Sequence, residues 1–242
     1  MAIHSRGGRG LNTVHLTDCM DFMADKPDNC YDLAIIDPPY GIGAGSINFI
    51  NGTSKTEKKY YRENDWDTKS PDKKYFDRLF RISENQIIWG ANHFIEKFSK
   101  NSSCWIFWNK GTGKNSYADG ELAWTSFNKT VKYFFLSWVG QNAKERNQLT
   151  RIHPTQKPVA LYKWLLKNYA KPGQTIFDSH VGSGSSRIAC HDLGFDFEGC
   201  EIDPDYWQAQ EDRYNSHIQQ GGLFEKKEIQ DLIYSKEGEE EK

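Results

Sequence analysis

The run Thr175-Ile-Phe-Asp-Ser-His-Val-Gly-Ser-Gly-Ser-Ser-Arg-Ile-Ala-Cys-His-Asp-Leu-Gly194 decides the fold. Its short apolar start reads as a strand over 175–177, its centre as a turn of small residues, and 186–193 as a helix closed by Gly194, because glycine takes the left-handed conformation that ends a helix. A second strand is expected over 197–202. Working outward, apolar runs bounded by turn residues predict strands over 13–16, 32–36, 86–89, 104–108 and 133–139. Helical spacing covers 159–169, ahead of the Lys171-Pro172-Gly173 breaker, and 204–218, with Asp203 as N-cap and Pro204 in the first turn. Strands alternating with helices imply an α/β architecture, a mostly parallel sheet covered on both faces. The polar stretch 48–71 lacks periodicity and reads as a long loop.

Composition bounds the possibilities. A chain of 242 residues suits one domain, and 14 Phe, 12 Tyr and 8 Trp supply a core with aromatic rings to spare for stacking on bases. No apolar run approaches the roughly 20 residues that span a bilayer, and the N-terminus carries no secretory apolar segment, so a cytoplasmic protein with no membrane contact is expected. Five cysteines (Cys19, Cys30, Cys104, Cys190, Cys200) form no Cys-x-x-Cys pair, which argues for reduced thiols and against a disulfide framework or a metal site. Net charge is −2, yet residues 51–157 carry nineteen Lys and Arg against eleven Asp and Glu. A polyanion responds to that segment rather than to the average. The C-terminal 225–242 reads as a frayed acidic tail.

Two motifs carry chemistry. Asp37-Pro38-Pro39-Tyr40 follows the strand over 32–36, at the end of an α/β strand where ligands bind. The amino group of an aromatic base is flat and weakly nucleophilic, and acceptors that hold both N–H bonds let it pyramidalise. The Asp37 carboxylate supplies one acceptor and the Pro38 carbonyl the other. Two prolines make a rigid corner without competing donors, and Tyr40 can stack on a base that has left its duplex. A plain turn after a strand would use the same residues. In the second motif, Gly182 and Gly184 allow close backbone approach. Glu201 lies 17 positions after Gly184, where nucleoside-binding βαβ units place an acid on the ribose. Arg187 stands where the dinucleotide fingerprint needs a third glycine, which favours a nucleoside without pyrophosphate, such as S-adenosylmethionine. Here too a structural turn is the simpler alternative.

Together these residues resemble the amino-group DNA methyltransferases. Asp37–Tyr40 is similar to the family's catalytic tetrapeptide, and 178–185 to its cofactor loop Asp-Pro-Phe-x-Gly-Ser-Gly-Thr, with Ser179 and His180 replacing the usual Pro and Phe. His153-Pro-Thr-Gln-Lys-Pro158 matches the segment preceding that loop at all six positions. Catalytic before cofactor motif is the order of the permuted beta group. The resemblance implies a three-layer S-adenosylmethionine-dependent methyltransferase fold with a seven-stranded sheet. It also implies cofactor contacts at Asp18, Cys19, Thr155, Lys157, Asp178, His180, Gly182, Ser183, Gly184, Ser185 and Glu201. From the residues alone, Asp18 is equally a helix N-cap for 19–24.

Asp at position 37 is similar to the adenine-N6 members, so the expected reaction is site-specific methylation of a flipped adenine in DNA, within a restriction-modification setting. Cytosine N4 or RNA methylation is the rival chemistry, and a non-catalytic nucleic-acid-binding subunit the rival of another class. Beta-group members place target recognition between the two motifs, here a short basic insert over 111–151. Gly111–Asn115 and Ala143–Gln148 are the expected DNA contacts, whereas Trp124 and Phe127, in a helix-like stretch, are assigned to the core. A homodimer is left open as an assembly. Gln220-Gly-Gly-Leu223-Phe224 is similar to the peptide that docks on sliding clamps, with a C-cap followed by core-seeking Leu and Phe as the simpler reading.

Overall fold

A computed structural model describes residues 10–44, 67–112, 118–137 and 152–237, with side chains of the last helix described to residue 220. The strands are β1 (Asn12–Leu16), β2 (Tyr31–Ile36), β3 (Ser83–Trp89), β4 (Trp105–Asn109), β5 (Gly120–Thr125), β6 (Lys132–Phe135), β7 (Thr175–Asp178) and β8 (Asp196–Glu201). The helices are α1 (Cys19–Ala24), α2 (Lys73–Ile82), α3 (Val159–Tyr169), α4 (Ser185–Leu193) and α5 (Pro204–Glu237). The sheet order is β1-β8-β7-β2-β3-β5-β4-β6. The pairs β1–β8, β8–β7, β7–β2 and β2–β3 are all parallel, whereas β5 runs antiparallel to both β3 and β4. Eight strands therefore replace the expected seven.

The alternation along β2 shows why this sheet has two covers. Leu33 and Ile35 face one core with Leu161, Leu165 and Leu166 of α3 and Ala189 of α4. Ala34 and Ile36 face the other, with Met23 of α1 and Tyr75, Phe76, Leu79 and Ile82 of α2. A strand buried on both faces must be apolar throughout, and YDLAII is so except at Asp32, whose carboxylate accepts from Thr175 N at 2.7 Å. Local signals hold where they were strongest. Asp18 caps α1 by accepting from Met20 N at 2.6 Å. Asp203 caps α5 by accepting from Asp205 N and Tyr206 N at 2.9 and 3.2 Å. Gly194 closes α4 with φ +71°.

Three expectations are corrected. Trp124 lies on β5, not on a helix, although its place in the core stands: it is buried, and half-buried Phe127 packs on the core just beyond the strand. The helix expected to end at 218 runs on to Glu237, so the backbone of 220–224 is helical rather than a C-cap turn, and the side chains of Leu223 and Phe224 lie outside the described set. Within 111–151, residues 120–125 and 132–135 are strands of the main sheet; Lys114, Asn115 and 143–148 lie outside the described residues. Among the described residues, no helix is long and apolar enough to cross a membrane.

Leu79 is fully buried between α2 and the sheet. Leu79→Ala is expected to cost about 2–5 kcal/mol in urea unfolding, the usual range for a cavity at such a site.

Candidate active site

Parallel strands end on the same side, so β1, β8, β7, β2 and β3 deliver their carboxyl ends to one edge. Along that edge stand Asp18 after β1, Glu201 ending β8, Asp178 ending β7 and Asp37 after β2. The two motifs, 140 residues apart, thus occupy neighbouring strands.

At the β8–β7 end, the turn 179–184 sits where the expected cofactor loop belongs. Gly182 and Gly184 take φ of +52° and +74°, which other residues rarely adopt. Gly182 N donates to Glu201 Oε2 at 2.8 Å, and Asp203 N to Glu201 Oε1 at 3.0 Å, so two backbone donors orient the carboxylate. Buried Asp178 accepts from Ser186 Oγ at 2.6 Å and from His180 N at 3.0 Å, yet burial pushes its carboxyl up to about 7. Ser183 and Ser185 share a hydroxyl contact at 3.2 Å, and Arg213 donates to the carbonyl of Ser183 and, at 3.0 Å, to Ser185 Oγ. Where Ser179 and His180 stand, a polar chain runs from Tyr75 Oη to Ser179 Oγ at 2.6 Å and on to His180 Nδ1 at 2.8 Å. Burial holds His180 down to about 4, and burial pushes the Cys19 thiol up to about 12. The acceptors Asp18, Asp178 and Glu201, beside a close-approach turn, fit a nucleoside diol and a cationic ligand.

At the β2 end, Tyr40 Oη donates to Asp37 Oδ1 at 2.7 Å and lies 3.2 Å from Glu121 Oε2. Pro38 is buried in the corner. Tyr40 packs directly on Gly90, at the end of β3: a Cβ there would fall 2.1 Å from the ring. The His93 imidazole stacks on the same tyrosine, 5.2 Å between centroids at 16°. Lys157, an expected cofactor contact, stands in this structure beside Asp37. Its buried ammonium reaches Asp37 Oδ2 at 2.5 Å, Glu121 Oε2 at 2.8 Å and Tyr40 Oη at 3.1 Å. Thr155 bonds His153 Nδ1 through Oγ1 at 3.1 Å, and a Cβ built at Gly182 would lie 3.8 Å from the His153 ring. The segment 153–157 therefore straps one motif to the other.

Burial and neighbouring Glu121 raise the Asp37 carboxyl while Lys157 and the Tyr40 hydroxyl oppose that rise. Half-buried Glu121 is desolvated too, but two ammonium groups, Lys157 and Lys110, hold it down to about 2. Reading the sequence found neither Glu121 nor Asp67. Buried Asp67 accepts from Tyr40 N, Gly41 N and Ala44 N at 2.6, 2.9 and 2.7 Å, which fixes the chain leaving the tetrapeptide. Away from this edge, His191, Asp192 and His217 bring ligand-type atoms within 4.8 Å of one another. Asp192 is already paired there with Lys163 and His217, at 2.6 Å each, and the group reads as a clamp between helices.

Comparisons with known proteins fit this geometry. A family model described as DNA methylase matches residues 84–212, more than half of the chain. The type II methyltransferase M.BglII of Bacillus subtilis is 23% identical over 251 residues, covering 81% of this chain and 67% of the relative. The type II methyltransferase M1.MboII of Moraxella bovis is 21% identical, covering 81% and 94%. Among solved structures, the M1.HpyAVI–SAM complex superposes with TM-score 0.54 at 19% identity, covering 84% of this chain and 98% of that one. The cytosine-N4-specific PvuII DNA methyltransferase gives 0.53 at 11%, covering 86% and 92%. At such identities the structural likeness establishes the fold, and the family model the membership.

Two outcomes are expected from the geometry. Gly90→Ala drives a methyl group into Tyr40 at a positive φ, and should cost about 1–3 kcal/mol in urea unfolding. His180 is neutral in both the folded and unfolded chains above pH 6.5; between there and about 4 the unfolded chain protonates first, so stability falls as pH falls. His180→Phe should lose less melting temperature than the parent between those two pH values.

Proposed function

The chain belongs to the DNA methylase family, and from that premise we propose that it methylates N6 of adenine in DNA with S-adenosylmethionine as donor. The observation that carries this reading is the row of carboxylates on one parallel edge, three in the cofactor half and Asp37 on the adjoining strand. Asp18, Glu201, His180, Thr155 and the 182–185 turn are the residues that would hold the cofactor. When bound, S-adenosylmethionine supplies an electrophilic methyl group on a sulfonium. The anionic set around Asp178 and Glu201 suits that positive charge, as a low-dielectric site strengthens such attraction.

The chain's own groups account for the rest. Asp37, paired in the free site with the ammonium of Lys157, accepts one N–H of the base amino group, and the Pro38 carbonyl accepts the other. Both are fixed in advance, Asp37 by Tyr40 and Lys157, and Pro38 by its ring, and fixed acceptors contribute more than the same groups in water. Tyr40 would offer its aromatic face to a flipped base, in exchange for the His93 ring that stacks on it in the free site. Positioning supplies much of the rate. The basic middle segment would grip phosphates, and the interval 111–151 would contribute to target recognition.

Asp37→Ala should lower methyl transfer from labelled S-adenosylmethionine to unmethylated plasmid DNA by at least about 100-fold, while calorimetric cofactor affinity stays close to that of the parent. Mass spectrometry of nucleosides from that DNA should show N6-methyladenosine as the deoxynucleoside. N4-methylcytosine instead would reassign the base, and cofactor binding without any labelled base would mark a non-catalytic subunit.

A further inference from the structure

Lys157 is the unusual member of this site. Its side chain is only 3% exposed, and an ammonium taken from water is stable only when its donors are matched. It has three protons, and three acceptors surround it: Asp37 Oδ2, Glu121 Oε2 and Tyr40 Oη. Asp37 is equally engaged, with Oδ1 on the Tyr40 hydroxyl and Oδ2 on Lys157. Each Asp37 oxygen keeps a second lone pair, but a base amino group that approaches this carboxylate competes with these partners for it.

We propose that Glu121 is a positioning residue of the methyl-transfer site, which shares Lys157 with Asp37 so that Asp37 can exchange its ammonium partner for the amino group of the target base. The proposal rests on the reading of Asp37 as the acceptor for that amino group. With Glu121 and Tyr40 retained, Lys157 keeps two acceptors when it yields Asp37. Without Glu121 it would keep only Tyr40, and the ammonium would stay locked on Asp37. The anchoring is two-sided, because Lys110 binds the other oxygen of Glu121. Glu121 reaches the site from β5, the strand that runs against its neighbours. That orientation brings the start of β5, rather than its end, towards Gly90 and the edge where Asp37 stands: Trp89 pairs with Ala123, and Gly90 N donates to Leu122 O at 2.9 Å.

The charged and titratable groups facing Asp37 are Lys157, Glu121 and Tyr40, with Tyr162 of α3 and Asp178 of β7 beyond them. Glu121 is the like charge among the nearest three, so its removal lowers the Asp37 midpoint and leaves the whole of Lys157 to Asp37.

Glu121→Gln keeps the shape of the side chain and removes its charge. In protein labelled with 13C at aspartate carboxyls, with Asp37→Asn assigning the signal, the Asp37 midpoint should fall by about one pH unit in E121Q. In single turnovers on unmethylated plasmid DNA at saturating S-adenosylmethionine, the plateau rate should fall at least about tenfold, with cofactor affinity by calorimetry unchanged. Glu121→Asp, which keeps the charge, should recover most of that rate and serves as the test should E121Q fail to fold. A parental plateau rate in E121Q overturns the proposal, as does a slower rate with an unmoved midpoint, the pattern of merely structural damage. Failure of the underlying reading looks different: the parent protein itself would label no DNA, or Asp37→Ala would retain turnover.

Discussion

The join between β2 and β7 is the constraint on which this molecule depends. It is a short parallel ladder, Leu33 opposite Ile176 and Ala34 opposite Phe177, and within the sheet it is the line between β1-β8-β7 and β2-β3-β5-β4-β6. All four residues are buried, and the bond from Thr175 N to the Asp32 carboxylate fixes the register at the entrance of the ladder. A slip of one residue would exchange the faces of Leu33 and Ala34 and break both cores. Because the register is held, the carboxyl ends of the two strands cannot drift apart, and Asp37 and Asp178 become neighbours although the chain separates them widely.

That neighbourhood creates an electrostatic problem. Asp37 and Asp178 are both desolvated, and Asp37 raises the Asp178 carboxyl further, so the edge needs positive charge. The strap over 153–157 brings it. His153 packs near Gly182 and sets its ring at a tilt against Tyr206 of α5, and four residues later Lys157 lies against Asp37. One short irregular segment thus contacts both halves of the site. This accounts for the demand on its residue types without assigning Lys157 to the cofactor.

Legibility in the sequence followed the range of the interactions. Caps and helix ends were readable because Asp18, Asp203 and Gly194 act on backbone within three residues of themselves. The central strands were readable because burial on both faces leaves an apolar run. β5 was not: its residues GELAWT pass from half-exposed to buried along the strand, so neither alternation nor a continuous apolar run marks it. Asp67 and Glu121 were missed for a different reason. Each acts on the tetrapeptide through contacts 27 to 81 positions away in the chain, and nothing in the flanking residues signals the partner. Lys157 was singled out, but the direction of a side chain in an irregular segment is set by tertiary contacts. The helix through Gly221 and Gly222 shows the converse, two helix-weakening residues inside a backbone that stays helical.

The distribution of charge gives the two ends of the edge different characters. Around Asp37, two carboxylates meet two ammonium groups, Lys157 and Lys110, and the four balance. Around the glycine turn, Asp18, Asp178 and Glu201 have no such ammonium among the ion pairs of the described residues, and their carboxylates are directed onto backbone N–H groups and a serine hydroxyl instead. A cationic ligand is favoured at the second end and a neutral one at the first, which is the division of charge between a sulfonium donor and an uncharged base. Phosphates would be repelled by the carboxylate edge and drawn to the lysines of the middle segment. On the proposed reading the sheet would sort donor, base and backbone by charge, with the β2–β7 join fixing where one region ends and the next begins.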